Sequence, residues 1–331
     1  MTDDNLMHAV TIAAPGGPEA LTLTTVPRPR PGEREVLIKV AAAGVNGADL
    51  MQRRGHYPPP PGAPEWLGLE VSGRVVAVGA NTSRADIGDE VCALLSGGGY
   101  AEYVSVHESL VLPVPHGVSL RDAAALPEAL VTAWSNIRLF AGLKAGQSLL
   151  VHGGSSGVGL AAIQIARAHG ARVVATVGSE EKAAFCRRFG ADAVNYRQAD
   201  FVSEVGRLTA GAGVDVVLDM VGGDYIARDL AVLATGGHIM LIADRTGTPA
   251  SFPAGLLIAK RARLQGTAVR PRPLDERAAL LAGLQAEVWP MVDDGRVRVV
   301  VDSVYPLAAA ADAHRRMESS AHMGKILLAV D

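Results

Sequence analysis

Cysteine is nearly absent: Cys92 and Cys186 are the two in the chain, far apart and outside any C-x-x-C or Cys/His spacing. Their scarcity excludes a disulfide scaffold and a thiolate metal site, and two buried free thiols in a reducing cytosol are expected instead. The 9 histidines fall into no ligand spacing either, and none is assigned a catalytic role. A charge excess is missing too. Lys and Arg number 31 against 34 Asp and Glu, a net charge of −3, so no broad positive field draws the chain to nucleic acid or an anionic membrane. No apolar run approaches the roughly 20 residues that a membrane-spanning helix needs. The opening "MTDDNLMHAV" is acidic and lacks the apolar segment of a secretory signal. These absences point to a cytoplasmic protein whose partner is a small molecule.

What the chain has is bulk: 331 residues, 49% of them hydrophobic and 20% charged, can bury a large core and divide into two domains. From Met7 to about Ala129, short β-branched runs alternate with Pro and Gly. "GRVVAVG", "GDEVCALL" and "AEYVSV" continue that pattern with little room for helices, so a barrel-like or sandwich β domain is expected. From Ser148 strands and helices alternate, and the strands are continuous apolar runs, as in a parallel doubly wound sheet covered on both faces. A helix near Asp275 to Asp294, a strand near Val297 to Val301, a helix near Leu307 to Glu318 and a last strand, "KILLAV", return to the earlier style. The expected fold is therefore α/β, with residues 1–128 and 272–331 forming the β domain and 129–271 the doubly wound one. "YPPPPGAP" (57–64) reads as a stiff, extended loop.

The densest signal is "HGGSSGVG", residues 152–159, between the apolar strand Ser148 to Val151 and an apolar helix from Leu160. Strand, glycine-rich turn and helix leave backbone N–H groups at the positive end of a helix dipole, a seat for an anion. Gly153, Gly154 and Gly157 permit a tight turn and close approach of a pyrophosphate; Ser155 and Ser156 add hydroxyls, Val158 follows, and Gly159 lets the helix press onto the sheet. The spacing departs from G-x-G-x-x-G, with Ser156 in the middle place, so the loop alone is equally readable as a structural turn. As the first of at least four βα units it predicts a dinucleotide site. The second strand ends in Val177, Gly178 and Ser179 rather than in the acid that binds a ribose 2′-hydroxyl. Ser179, Lys182 and Tyr196 suit a 2′-phosphate, which favours NADPH over NADH; Glu180 and Glu181 would oppose it if turned inward.

Over essentially its full length the chain resembles a medium-chain dehydrogenase/reductase, a family that pairs a chaperonin-10-like β domain with a Rossmann domain. The likeness is carried by "GVNGADLMQRRGHYPPPPGAP", "LGLEVSGRVVAVG", "GGGYAEYV", "AAALPEALVTAW", "HGGSSGVGLAAIQIA" and "HMGKILL". Within that family it is most similar to the zinc-independent quinone oxidoreductases, above all the tumour-suppressor-induced branch, with zeta-crystallin more distant. The resemblance implies polar contacts from Asn46 and Tyr57 near nicotinamide and acceptor, and from Thr132 at the nicotinamide. It further implies cofactor contacts from Met220, Val221, Ala243, Thr267, Ala268, Val269 and Lys325, with Arg270 and Arg272 as nearby positive charges. A homodimer or homotetramer, paired through edge strands near "GHIMLIA" and "RLQGTA", is implied as well. Read without the resemblance, Asn46 is equally a turn residue before Gly47, Tyr57 packs on the proline loop, and Asp219 caps a turn.

Zinc-dependent relatives carry a Cys and a His where this chain has Asn46 and Leu69, and their four-cysteine lobe has no counterpart in it. A metal-free site is implied, with Glu70 a structural carboxylate. Without a Lewis acid a simple ketone is a poor acceptor, whereas a quinone or enone spreads incoming charge over a π system. The expected function is zinc-independent, NADPH-dependent reduction of quinones, with the acceptor stacked on the nicotinamide in the cleft between domains. An enone reductase of the same superfamily, and a dinucleotide-binding protein with a structural or regulatory role, are the alternatives. No general acid or base stands out, and water is left to protonate the reduced quinone.

Overall fold

The computed structural model describes residues 5–330. The chain forms two compact units, one running to Ala129 and taking in Arg270–Asp293 and the C-terminal part from Val299, the other Leu130–Val269 with Asp294–Arg298. In chain order the first unit holds β1 (Leu6–Ile12), β2 (Leu21–Pro27), β3 (Glu35–Val45), α1 (Gly47–Arg53), β4 (Glu70–Val78), β5 (Glu90–Leu94), β6 (Tyr103–His107) and β7 (Val111–Pro113). Helix α2 (Pro127–Trp134) carries the chain into the second unit. There it runs β8 (Ser148–His152), α3 (Gly157–Ala168), β9 (Arg172–Val177), α4 (Glu180–Arg187), β10 (Asp192–Asn195), α5 (Phe201–Leu208), β11 (Val214–Asp219), α6 (Tyr225–Val232), β12 (Leu233–Leu241), α7 (Ala254–Ala259) and β13 (Arg263–Gly266). α8 (Leu274–Asp293), β14 (Val301–Pro306), α9 (Ala310–Glu318) and β15 (Lys325–Ala329) complete the first.

The first unit is built around β3, whose Val36, Ile38 and Val40 are buried. β3 pairs with β4 along one edge, while the other is shared between β6, opposite Glu35–Lys39, and β15, opposite Ala42–Val45. Register shifts at Leu37/Ile38 and Val40/Ala42 bend the sheet, as inserted residues do. The bend matters because β3 ends at Val45, beside the start of β15, so Asn46 leaves the sheet next to Lys325. Within the mostly β stretch from Met7 to Ala129, α1 begins directly after Asn46. Asp49 permits it by accepting the Asn46 backbone N–H at 2.8 Å, turning the chain out of the strand.

The second unit is a parallel sheet in the order β10-β9-β8-β11-β12-β13, as its uninterrupted apolar strands predict. Leu149, Leu150 and Val151 of β8 have no exposed surface, and α3 lays Leu160, Ile163 and Ile165 against the sheet. Strand order reverses between β8 and β11, and in such sheets ligands gather at the carboxyl ends of the strands flanking that reversal. Residues 294–298 belong to this unit rather than forming the strand expected near Val297; β14 starts at Val301. Gln164 of α3 explains the difference, since its amide donates to Arg298 O at 3.1 Å and accepts the Arg298 N–H at 2.8 Å. Those bonds occupy the backbone groups a strand would use. No helix among the described residues is long and apolar enough to cross a membrane.

Candidate functional site

At the carboxyl end of β8 the chain turns at Gly153, whose φ of +67° is a left-handed value that glycine adopts without strain. A Cβ there would meet Met220 Sδ at 2.9 Å, and one on Gly159 would lie 2.7 Å from Gly154 O, so the loop closes only with glycine at both places. Ser156 caps α3, its Oγ accepting the Gly159 N–H at 3.1 Å. The first helical bond runs from Leu160 N to Ser156 O at 2.8 Å. The N–H groups of Gly157 and Val158 precede it and have no intrahelical acceptor. Backed by a helix of 12 residues, this cradle fits a diphosphate. The Gly154 N–H fixes it to Thr176 O at 3.0 Å. Ser155 is buried in the loop. His152, just before the turn, is also fully buried: its ring nitrogens meet Thr176 Oγ1 at 2.8 Å and Asp229 Oδ1 at 2.7 Å.

One strand over, Ser179 caps α4 by accepting the Lys182 N–H at 3.3 Å. A Cβ on Gly178 would meet Tyr196 Oη at 2.9 Å and Arg197 Nε at 3.6 Å, so a phenol and a guanidinium stand together over this strand end. Glu180 pairs with Arg187 at 2.5 Å, which directs its charge to that neighbour. Arg197 escaped the sequence reading; its place directly after Tyr196 was the available signal.

At the end of β11, Asp219 accepts the N–H of Val221 at 2.6 Å and of Gly222 at 3.2 Å, so it caps the turn. Burial, then the charge of Asp229, pushes its carboxyl above the usual range. Met220 covers the glycine loop, receiving the Ser156 hydroxyl at 3.7 Å. Ala243 is exposed beyond β12, and Thr267, Ala268 and Val269 follow β13. Thr267 Oγ1 donates to Asn136 Oδ1 at 2.6 Å while Asn136 Nδ2 donates to Thr132 O at 2.8 Å. Asn136 therefore ties two expected residues together. It lies in a π-helical stretch, Ser135–Phe140, whose wide turn no sequence pattern announces.

In the first unit Asn46, Glu70 and Lys325 form a buried cluster. Lys325 Nζ donates to Val45 O at 3.0 Å, Asn46 Oδ1 at 2.5 Å and Glu70 Oε1 at 2.6 Å, which uses all three of its protons. Asn46 Nδ2 donates to Glu70 Oε1 at 2.9 Å, and the Glu128 backbone N–H donates to Glu70 Oε2 at 2.8 Å. The expected contacts Asn46 and Lys325 are thus brought together, their polar atoms engaged with each other. A Cβ on Gly44 would stand 2.7 Å from both Glu70 Cδ and Ala124 O, so glycine there makes room for the carboxylate.

A second chain of bonds supports Asn46 from behind. Asp49 accepts from Asn46 N, from Gly68 N at 3.1 Å and from Tyr100 Oη at 3.3 Å. Tyr100 Oη lies 3.2 Å from His314 Nε2, and His314 Nδ1 lies 3.1 Å from Arg53. Arginine only donates, so Nδ1 accepts, Nε2 carries the proton and donates to Tyr100, and Tyr100 donates to Asp49. Burial, then the Arg53 charge, lowers His314 to about 3, and burial raises Asp49 to about 6.

Tyr57 lies beneath Arg270, whose guanidinium carbon is 5.1 Å from the ring centre, and burial raises its phenol above the usual value. Arg270 itself is buried and donates to Ser96 O and Gln52 Oε1, both at 2.7 Å, so it serves its own unit rather than a phosphate. Arg272 pairs with Glu276 at 2.8 Å.

The residues around Asn46 do not fit a zinc ion. An amide, a leucine and an ammonium replace ligands, and among the described residues no three of His, Cys, Asp and Glu gather to hold a metal. Both thiols are buried and free, and burial raises that of Cys186 to about 12.

The sequence matches the families described as "Alcohol dehydrogenase GroES-like domain" over residues 32–116 and "Zinc-binding dehydrogenase" over 157–285. A rat protein named quinone oxidoreductase is 36% identical over 99% of both chains. Among solved structures, the Escherichia coli quinone oxidoreductase complexed with NADPH superposes with a TM-score of 0.89 at 30% identity, covering 97% of this chain and 99% of that one. The CurK enoyl reductase superposes at 0.87 with 28% identity, covering 99% and 100%.

Proposed function

This chain belongs to the quinone oxidoreductase family of medium-chain dehydrogenases/reductases, oxidoreductase enzymes, and from that premise we propose that it reduces quinones with NADPH and without zinc. The observation that carries the reading is the strand end at Gly178. No acid stands there to take a ribose 2′-hydroxyl, while Tyr196, Arg197 and the Ser179 cap offer hydroxyl and positive groups for a 2′-phosphate. The glycine loop, with the N–H groups of Gly157 and Val158, holds the diphosphate between the two ribose sites. Thr132, Thr267 and Asn136 brace the nicotinamide end, with Met220, Val221, Ala243, Ala268 and Val269 as its further wall. NADPH supplies the hydride. The acceptor is conjugated, because Asn46 and Lys325 spend their donors within their own cluster and no Lewis acid fits there, so a π system has to spread the arriving charge.

The test is a titration with both nucleotides followed by turnover on a quinone panel. Binding of NADPH at least about tenfold tighter than NADH, with the gap closing in Arg197→Ala, is expected from loss of a charge-assisted contact. Equal affinity for both would overturn the nucleotide assignment. A second reading, reduction of enones, is favoured by the likeness to an enoyl reductase, and activity confined to enones in the same panel would select it. We further propose a homodimer or homotetramer in the cytoplasm; a monomeric mass in light scattering at micromolar protein would refute the assembly.

A further inference from the structure

His152 closes β8 directly before the glycine turn, and both its ring and the Asp229 carboxylate of α6 are without exposed surface. Nε2 lies 2.7 Å from Asp229 Oδ1. A carboxylate accepts and does not donate, so Nε2 carries a proton. Nδ1 meets Thr176 Oγ1 at 2.8 Å. The ring is otherwise boxed by aromatics: Phe201 and Tyr225 stand edge to face with it, each centre 4.9 Å away. Asp229 keeps one oxygen unused, since among the described residues Oδ2 has no hydrogen-bond partner. A buried pair of this kind is commonly no more stable than apolar side chains of the same volume in its place, and an unpaired buried oxygen adds its own desolvation cost. What the pair supplies is position.

The bonds lead to the loop. Thr176 lies opposite His152 in the pairing of β8 with β9, and it is tied at two atoms: its hydroxyl to the His152 ring and its carbonyl to the Gly154 N–H at 3.0 Å. Gly153 is caught between these two ties, and the Ser156 N–H closes the turn on Gly153 O at 2.9 Å. An imidazole held by α6 on one side and β9 on the other therefore fixes where the turn begins, and with it the direction of the Gly157 and Val158 N–H groups. Charge points the same way. Asp219 and Asp229 are two buried acids beneath a cradle for an anion, and each repels what the cradle holds. The Val221 and Gly222 N–H groups engage Asp219, and the His152 ring engages Asp229. We propose that His152 and Asp229 are positioning residues for NADPH: by bridging α6 to β9 they hold the glycine turn in the form that accepts the diphosphate. The assignment rests on the nucleotide reading above, and all of its residues lie in the second unit.

The experiment sets NADPH affinity against stability in wild type, Thr176→Val, Asp229→Asn, and His152→Leu combined with Asp229→Ala. The double variant removes the pair while nearly keeping its volume, so its unfolding midpoint in urea should equal or exceed that of the wild type. Its NADPH affinity by calorimetry should fall about tenfold, the worth of one hydrogen bond. Thr176→Val severs only the tie from the ring to β9 and should weaken NADPH by about the same factor. In phosphorus NMR at saturating NADPH, its diphosphate resonances should shift while that of the 2′-phosphate stays. Asp229→Asn keeps an acceptor for the ring and should restore wild-type affinity. Wild-type affinity in the double variant or in Thr176→Val overturns this proposal alone, as does an affinity loss accompanied by a matching loss of stability, or a loss in Asp229→Asn equal to that of the double variant. A wild type that takes up no NADPH overturns the reading beneath it, and the proposal with it. If the double variant fails to fold, Thr176→Val decides, and unchanged affinity there overturns the assignment.

Discussion

Lys325 has the most consequence per residue, because its ammonium satisfies Asn46 and Glu70 where water does not reach; the side chains of Lys325 and Glu70 are 7% and 0% exposed. Removing one partner of such a pair strands the other, so Lys325→Met is expected to lower unfolding free energy by about 3–5 kcal/mol in denaturant titration. Lys325→Met combined with Glu70→Gln should recover part of that loss. His314 sets the acid side of stability. Its folded value of about 3 lies below the ordinary 6.5, so the unfolded chain takes up the proton first, and stability falls as pH drops from 6.5 toward 3. Asp49 and Glu128 act oppositely: raised to about 6 and 7 from 3.8 and 4.5, they subtract stability as pH rises through about 4 to 7. His314→Gln removes the first effect and leaves the second. Its Tm should therefore climb more steeply than the wild type's on acidification from pH 7 to 5, and a wild-type-like profile in that variant would refute the assignment.

At the scale of elements, α3 is held by side chains at its start and past its middle. Ser156 caps its start, and Gln164 grips residues 294–298 through Arg298. Ser156→Ala removes the cap and should cost about 1 kcal/mol in thermal or chemical unfolding. Under the proposed function nucleotide binding should weaken with it, since the cap also orients the first turn, whose N–H groups would receive the diphosphate. The β8–loop–α3 element was legible from its residues because every signal in it is local: an apolar strand, glycines where the turn needs them, a serine cap and an apolar helix. The π-helical stretch after α2 was not. Its hydrogen-bond pattern depends on Asn136 reaching back to Thr132 and across to Thr267, 131 residues away, a pairing that arises only when β13 is in place.

The whole molecule is expected to behave as an oxidoreductase indifferent to metal. Dialysis against a chelator should leave NADPH-dependent quinone reduction unchanged, and restoration of lost activity by zinc would contradict the assignment of Asn46 and Lys325 to the place of a Lewis acid. Because burial raises both thiols, mild alkylating agents should leave the folded protein unmodified.

By itself, the sequence determined the α/β class, the switch from β-rich to alternating segments near Ser148 and the glycine turn between an apolar strand and a serine-capped helix. Each of these is written in neighbouring residues, where hydrophobic period, turn chemistry and side-chain type act directly. Only the tertiary structure decided that Lys325 neutralises a cluster 279 residues earlier in the chain and that Arg270 is spent on its own unit. Those outcomes depend on which strands lie side by side and on how far burial suppresses charge, and neither is a property of a residue's neighbours in sequence.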